Sequence, residues 1–181
     1  AARIPAEIEV RFNLATAFDC PFEGRVPEES ALALLDRVVP ARPKAEVCLC
    51  DTTGRADPSH VESLFQAAMA RFPEVRAWAF HGHDTYGLGL ANVHAAYRQG
   101  VRVIDAAFGG LGGCPFAPGA TGNVATEDVV WMFERMGVET GVDLDKLIPV
   151  AVDAAGLPGA VSGGRVRHAL TARADACAAV A

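Results

Sequence analysis

The sequence lacks the features that are typical of nucleic-acid-binding proteins, membrane proteins and secreted proteins. Its 181 residues carry 16 Lys and Arg against 22 Asp and Glu, and an acidic chain without a basic stripe binds nucleic acid poorly. No apolar run approaches the roughly 20 residues that span a bilayer, so we expect no membrane partner. The opening residues, AARIPAEIEVRF, also lack the charged and then apolar pattern of a secretion signal.

Cysteines are few and are not spaced as a zinc ribbon or a disulfide framework. There are five, an odd number, and Cys48 and Cys50 form a C-x-C rather than a C-x-x-C. Reduced thiols in a cytoplasmic protein are the simplest account of this pattern. The 51% content of hydrophobic residues is typical of a folded globular protein, and the length suits one domain or part of one.

What the chain does have is an alternation of apolar, β-branched segments with helical patterns. The predicted strands cover 8–18, 45–51, 75–84 and 101–109. The predicted helices cover 27–39, 57–72, 85–100 and 126–137, followed by terminal helices over 143–156 and 163–180. Four strands that alternate with helices indicate βα units, and therefore an α/β fold with a parallel sheet.

Two common types of α/β site are missing. The segment GGLGGCP follows the fourth predicted strand rather than the first, so the chain has no dinucleotide-binding fingerprint, and it has no P-loop. Polar residues instead follow each strand, which is where (β/α)8 barrels carry their sites. We therefore favour a TIM (β/α)8 barrel. Such a barrel takes about 250 residues, so four βα units correspond to half of one.

The third predicted strand ends in FHGHDTYG, which places His81 and His83 one residue apart. Because side chains alternate between the faces of a strand, both histidines should point to one side, and Trp78 and Phe80 to the other. The bulky rings suit the face that packs on helices, which would leave the histidines facing the barrel interior at its open end. There they can bind one divalent cation; alternatively, they are polar residues that cap a loop.

The second predicted strand ends in CLCDTTG, and its last residue is Asp51. Asp51 shares a face with the larger apolar residues of that strand, and we expect it to look into the barrel mouth. There a carboxylate can act as a base, hold an imidazole or bind substrate; alternatively, Asp51 caps the turn that follows. Cys48 and Cys50 should lie on the opposite face as buried packing thiols. Thr52, the next loop residue, is a candidate substrate contact.

The most unusual segment is the glycine loop, GGLGGCPFAPGATGN, which contains six glycines and two prolines. Glycines at this density allow positive φ and close approach of the backbone to a ligand, so Gly112 and Gly113 are candidate substrate contacts. Cys114 lies among them and can transfer a proton or act as a nucleophile. Asn123 ends the loop and can either bind a metal or cap the next helix, for which Thr126 is the competing cap.

In this order and spacing, these segments resemble the hydroxymethylglutaryl-CoA lyase family. The similarity covers about residues 10 to 150 and rests on FDCPFEGRVP, FHGHDTYGLGLAN and GGLGGCPFAPGATGNVATEDVVWMFERMGVETGV. It implies a barrel that holds a divalent cation, Mg²⁺ or Mn²⁺. The implied reaction is a retro-Claisen cleavage of an acyl-CoA substrate, in which hydroxymethylglutaryl-CoA gives acetoacetate and acetyl-CoA.

The resemblance also implies roles for individual residues. His81 and His83 would be metal ligands, with Asn123 as a third, and His81 stands beside the metal where it can also take a proton. Cys114 would be the loop thiol that assists proton transfer. Asp51 matches an aspartate at a strand end that supports acid–base chemistry or substrate binding.

Two departures from the family are visible. The Arg-Asp motif that the family carries at the end of its first strand, with a further metal ligand, is missing. We therefore expect residues 1–181 to form one domain, the C-terminal four βα units of a barrel with terminal helices over about 143–181, and the N-terminal half to be a partner. Ala106, Ala107 and Phe108 stand where the family usually has two small hydroxyl residues and a valine, which leaves the acyl specificity open.

Other functions stay open at this point. A related aldolase or acyl-CoA synthase or lyase of the same superfamily would act on another hydroxyacyl-CoA or on a 2-oxo acid. A non-enzymatic half-barrel would be an interaction module with remnant ligands. The exposed edges of half a barrel sheet favour self-association, so a homodimer is a further expectation.

Overall fold

The computed structural model describes residues 5, 7–113, 122–158, 160 and 163–178. The chain divides into two compact units. The first comprises Ala1–Gly82 and Tyr86–Asp105, and the second comprises His83–Thr85 and Ala106–Ala181. None of the described helices is long and apolar enough to cross a membrane.

A parallel sheet organises the first unit. The strands of this unit are β1 (Arg11–Leu14), β2 (Asp19–Cys20), β3 (Gly24–Arg25), β4 (Glu46–Asp51), β5 (Ala77–Gly82) and β6 (Val103–Asp105). β2 and β3 form a short antiparallel hairpin, and the other four pair in the order β1-β4-β5-β6, all parallel. Each neighbour is the next βα unit along the chain, as in consecutive units of a (β/α)8 barrel. The predicted α/β class with a parallel sheet is confirmed.

Three helices follow strands of this sheet. They are α1 (Glu28–Val38), α2 (Pro58–Arg71) and α3 (Gly89–Arg98). Asp57 begins α2 as its N-cap, because its side chain accepts a 2.9 Å hydrogen bond from the backbone N–H of His60.

Aromatic rings pack α2 onto the sheet. The ring of Phe80 lies 6.2 Å from that of Phe65 in α2 and 6.0 Å from that of Phe18, both edge to face, and Trp78 also packs against Phe65. Phe18, Phe65 and Phe80 are all fully buried. The predicted helix-facing side of Trp78 and Phe80 is therefore confirmed.

The first strand is shorter than predicted, and the hairpin after it was missed. β1 ends at Leu14 rather than at residue 18. Thr16 has a φ of 52°, a left-handed conformation that ends the extended backbone, and its N–H donates to Oγ1 of Thr52 at 2.9 Å. The side-chain oxygen of Thr52 therefore holds the turn after β1.

The second unit is helical. It contains α4 (Thr126–Arg135), α5 (Leu144–Ala155) and α6 (Arg165–Ala178). The prediction that Thr126 caps α4 is wrong: Ala125 is the N-cap and no side chain caps this helix. The backbone accounts for the difference, because Ala107 and Ala125 form a parallel bridge and the N–H of Thr126 donates to the carbonyl of Ala107 at 3.0 Å.

Candidate active site

His81 lies near the end of β5, between Cys50 and Asp105, its register partners on the neighbouring strands. Its Nδ1 is 3.5 Å from Oδ2 of Asp105, and the other oxygen of this carboxylate accepts a 2.9 Å hydrogen bond from Arg11. The interaction with Asp105 raises the pKa of His81 and lowers the pKa of Asp105. The chain Arg11–Asp105–His81 therefore fixes the orientation of the imidazole, as a carboxylate partner does for metal-binding histidines.

His83 and Asn123, far apart in sequence, meet in the second unit. They form an antiparallel bridge, and next to it the N–H of Asp84 donates to the carbonyl of Gly122 at 3.1 Å. His83 is 5% exposed. The side-chain N–H of Asn123 donates to the carbonyl of Leu111 at 2.8 Å, which fixes which way the amide points.

The amide oxygen of Asn123 is well placed for a cation. Oδ1 is buried and has no hydrogen-bond partner among the described residues. A buried acceptor of this kind is costly unless a donor or a cation satisfies it. Imidazole nitrogen and amide oxygen together suit a divalent cation that accepts both ligand types. Within the described part of the chain no three His, Cys, Asp and Glu side chains form a metal cluster.

Asp51 does not share the sheet face of His81, and the expectation that both look into the barrel is wrong. The register pairs Cys50 with His81 and Asp51 with Gly82, so alternation along β4 places Asp51 on the opposite face. Cys48 and Cys50 lie on the histidine face instead. They are buried as predicted, and their sulfur atoms are 3.8 Å apart.

The carboxylate of Asp51 holds the turn that follows β4. It is fully buried, and Oδ1 accepts a 3.2 Å hydrogen bond from the N–H of Ala56. Burial raises the pKa of Asp51 to about 6. Oδ2 has no hydrogen-bond partner among the described residues. One oxygen is thus structural, and the carboxyl as a whole titrates at a higher pH than an ordinary aspartate.

The described part of the glycine loop lies against Asn123. Gly112 has a φ of 103°, and a Cβ at this position would stand 2.6 Å from Nδ2 of Asn123. Only glycine therefore allows the loop to pass this close to the amide. Gly113 is exposed beside it. Cys114, the predicted loop thiol, lies outside the described residues.

Sequence reasoning missed two carboxylates. Asp105 ends β6 and contacts His81, and the same strand-end argument that selected Asp51 would have found it. Glu127 is fully buried in the first turn of α4, where its Oε2 accepts a 3.0 Å hydrogen bond from the N–H of Gly109. An acidic residue in the first turn of a helix usually lies at the surface and stabilises the helix through its dipole. The sequence pattern therefore did not indicate that Glu127 is buried.

The HMGL-like family model matches residues 6–153 of the chain. The chain belongs to the HMGL-like family. It is 44% identical over 146 residues to hydroxymethylglutaryl-CoA lyase YngG of Bacillus subtilis, covering 81% of this chain and 48% of the relative. It is 45% identical over 135 residues to (R)-citramalyl-CoA lyase of Chloroflexus aurantiacus, covering 75% and 42%.

A solved structure is also similar to this chain and again matches it over about half of its own length. The HMG-CoA lyase of Acinetobacter baumannii, in complex with coenzyme A and 3-methylmalate, superposes with a TM-score of 0.79 at 42% identity, over 88% of this chain and 52% of that one. The chain thus spans about half the length of the relatives it matches.

Proposed function

We propose that this chain carries the metal-binding part of the active site of a carbon–carbon lyase that cleaves hydroxymethylglutaryl-CoA to acetoacetate and acetyl-CoA. The pairing of His83 with Asn123 carries the proposal, because it joins the H-x-H segment to the end of the glycine loop and leaves a buried amide oxygen as a ligand. The similarity to lyases of acyl-CoA substrates supports the reaction class.

In this proposal His81, His83 and Asn123 hold Mg²⁺ or Mn²⁺, which supplies a Lewis acid for the oxygen atoms of the substrate. Asp105 and Arg11 keep the ring of His81 in place, through the contacts of 3.5 Å and 2.9 Å. The carbonyl of Leu111 keeps the amide of Asn123 in place, so that its oxygen rather than its nitrogen is presented. Both ligands are therefore oriented before a cation binds.

The proton transfers fall to other groups. The tertiary hydroxyl must lose a proton as the carbon–carbon bond breaks, and the departing thioester enolate must gain one at carbon. The resemblance offers Asp51 for the first task, but its carboxylate is fully buried on the sheet face opposite His81, so we do not assign that step to it. We assign the second to Cys114 from its place in the glycine loop. The backbone of Thr52, Gly112 and Gly113 would contact the substrate.

An assay with two thioesters tests the function. The protein that carries this chain is incubated with hydroxymethylglutaryl-CoA and with (R)-citramalyl-CoA, with and without Mn²⁺, and acetyl-CoA is measured. We expect metal-dependent release from the first, and a loss of at least about 100-fold in His83→Ala, because a ligand is removed. His94→Ala, at an exposed position of α3, is the matched control and should keep its rate. Release that is independent of metal, or unchanged in His83→Ala, refutes the proposal.

A related acyl specificity is the second candidate. The citramalyl-CoA lyase relative is as similar to the chain as the hydroxymethylglutaryl-CoA lyase relative is. Phe108, which stands where the family usually has a valine, is 44% exposed at the start of the glycine loop. A ring at this place can reshape an acyl pocket. A preference for (R)-citramalyl-CoA in the same assay would establish this alternative.

We also propose that further βα units complete the barrel. Among the described residues, β1 and β6 each pair with one other strand of the sheet, so each has an edge of unpaired backbone groups. The half-length match to the relatives supports the same conclusion. Light scattering of the isolated 181-residue chain should therefore show dimers or larger species. A monodisperse, stable monomer would contradict this proposal.

A further inference from the structure

A buried carboxylate in the second unit is not used by the proposed chemistry. Glu127 has 0% exposure, and its Oε2 accepts the N–H of Gly109, where the glycine loop begins. Its Oε1 lies 3.6 Å from Nε of Arg167 in the first turn of α6, and Arg167 is itself only 6% exposed. Neither Oε1 nor Nε has a hydrogen-bond partner among the described residues, so the two charged groups depend on each other as a buried ion pair.

The contacts of this pair close into a ring. The guanidinium of Arg167 donates to the carbonyl of Gly163 at 2.7 Å. The N–H of Gly163 donates to the carbonyl of Gly109 at 2.8 Å, and the N–H of Gly109 donates to Glu127. Gly109, Glu127, Arg167 and Gly163 thus each contact the next, and we call this group the loop anchor.

The backbone around the loop anchor is shaped for close approach. Gly110 has a φ of 65°, and a Cβ there would stand 3.0 Å from the N of Gly163. Gly164 has a φ of 90°, and a Cβ there would collide with the carboxylate of Glu127. Side chains at these positions would separate the segment before α6 from the start of the glycine loop.

Asp128 adds a second fastening from the same turn of α4. Its two carboxylate oxygens accept hydrogen bonds from the N–H groups of Arg165 and Val166, at 3.0 Å and 2.8 Å. It therefore caps α6 from a distant part of the sequence. Two neighbouring acidic residues of α4 thus hold the start of α6. Asp128 binds backbone N–H groups of α6, and Glu127 contacts the side chain of Arg167.

We infer that Arg167 is a positioning residue, through which α6 fixes the base of the glycine loop and, by way of Leu111, the amide of Asn123. The path is continuous: Gly109 leads to Leu111 in the chain, and the carbonyl of Leu111 accepts the amide N–H of Asn123 at 2.8 Å. Arg167 lies beyond residues 6–153, the part that the family model matches. The consequence for catalysis rests on the proposed function, whereas the anchoring itself does not.

Hydrogen exchange of the full 181-residue chain, followed by mass spectrometry, tests the anchor. In Arg167→Met, peptides covering 107–113 and 163–167 should exchange at least about tenfold faster, because the buried carboxylate loses its partner and the segments separate. Arg167→Lys keeps the charge and should stay within about threefold of the parent. Arg173→Met, at an exposed position of α6, is the matched control and should not change these peptides.

The double variant Glu127→Gln/Arg167→Met separates charge from packing. Without a carboxylate to leave unpaired, it should exchange more slowly in these peptides than Arg167→Met alone. If Arg167→Met does not fold, the test uses the other three proteins. Exchange in these peptides should then rise in the order parent, Arg167→Lys, double variant. Exchange in Arg167→Met equal to that in Arg173→Met, or in the double variant equal to the parent, would overturn the inference.

A kinetic measurement addresses the catalytic consequence separately. In the protein that carries this chain, Arg167→Lys should retain most of kcat, while the double variant should lower kcat about tenfold or more with a smaller change in KM, because the loop base is displaced and not the substrate contacts. A fall in kcat that is matched by an equal fold-change in KM would refute the positioning role. If the parent itself shows no lyase activity, the proposed function fails, and the exchange data still decide whether the anchor exists.

Discussion

Replacing Asp51 by asparagine should stabilise the chain near neutral pH and have little such effect in acid. Asp51 is fully buried, and burial raises the pKa of its carboxyl from 3.8 to about 6. The folded state therefore binds this proton more tightly than the unfolded state does. The resulting stability is complete below pH 3.8 and is lost as the pH rises through about 6. Asparagine has no such proton, and it retains an oxygen to accept the N–H of Ala56.

The size of the effect follows from the pKa. A rise of about two units corresponds to about 3 kcal/mol in the free energy of unfolding, of which about 2 kcal/mol is lost between pH 4.5 and pH 7.5. Urea unfolding of the parent and of Asp51→Asn at these two pH values measures it. The contributions of all other titrating groups cancel in the difference between the two proteins.

Asp57→Asn is the control with the opposite sign. The hydrogen bond from the N–H of His60 lowers the pKa of Asp57, so its charged form stabilises the fold above the ordinary aspartate pKa and that stability is lost in acid. Asp57→Asn should therefore lose nearly the same stability at pH 7.5 and at pH 4.5, because both lie above the ordinary pKa of 3.8. If Asp51→Asn and the parent show the same dependence on pH, the assigned protonation of Asp51 is wrong.

Two further changes test the packing of the loop and the orientation of the histidine. Gly122→Ala places a methyl group against backbone oxygens of the facing loop segment, so it should cost about 2 kcal/mol more in urea unfolding than Gly137→Ala, which meets open space at a φ of 76°; equal costs would contradict the loop packing. Asp105→Asn removes the charge that orients His81 and should weaken Mn²⁺ binding in equilibrium dialysis about tenfold. Glu46→Gln alters a neighbouring carboxylate of the same sheet and should keep the Mn²⁺ affinity within about twofold of the parent. Equal affinities of the two variants would contradict the orienting role of Asp105.

The course of the chain through its βα units could be predicted because each segment has one dominant periodicity. The apolar segment of β5 is bounded by polar residues, and its two bulky rings identified the face that packs on α2. Asp57 and Pro58 marked the start of α2 by their intrinsic preferences for the cap and the first helical position. These signals are local, so no tertiary information was needed.

The face of Asp51 could not be predicted, because both faces of β4 are apolar. Val47 and Leu49 lie on one side and Cys48 and Cys50 on the other, and all four are buried. Alternation shows which residues share a face within one strand, but only the pairing register with β5 shows which face carries the histidine. The face of Asp51, Val47 and Leu49 is expected to look inward, whereas the register places it on the same side as Phe80.

The pairing of His83 with Asn123 was proposed from a family resemblance rather than from physics. The contact closes a long loop, and no local pattern in either segment specifies the other. Glu127 was missed for a related reason. Its burial arises from Gly109 and Arg167, which approach it from distant parts of the sequence, while its own position is ordinary for a glutamate in a first helical turn.

The order of strands in the sheet has a consequence for how the protein is made. Each of β4, β5 and β6 pairs with a strand that precedes it in the sequence, and with the one directly before it in the sheet order. In the described sheet, β4, β5 and β6 can therefore each pair with a strand that has already been synthesised. The pairing partner of each new strand is thus already present when that strand leaves the ribosome, and none of these pairings depends on sequence still to be made.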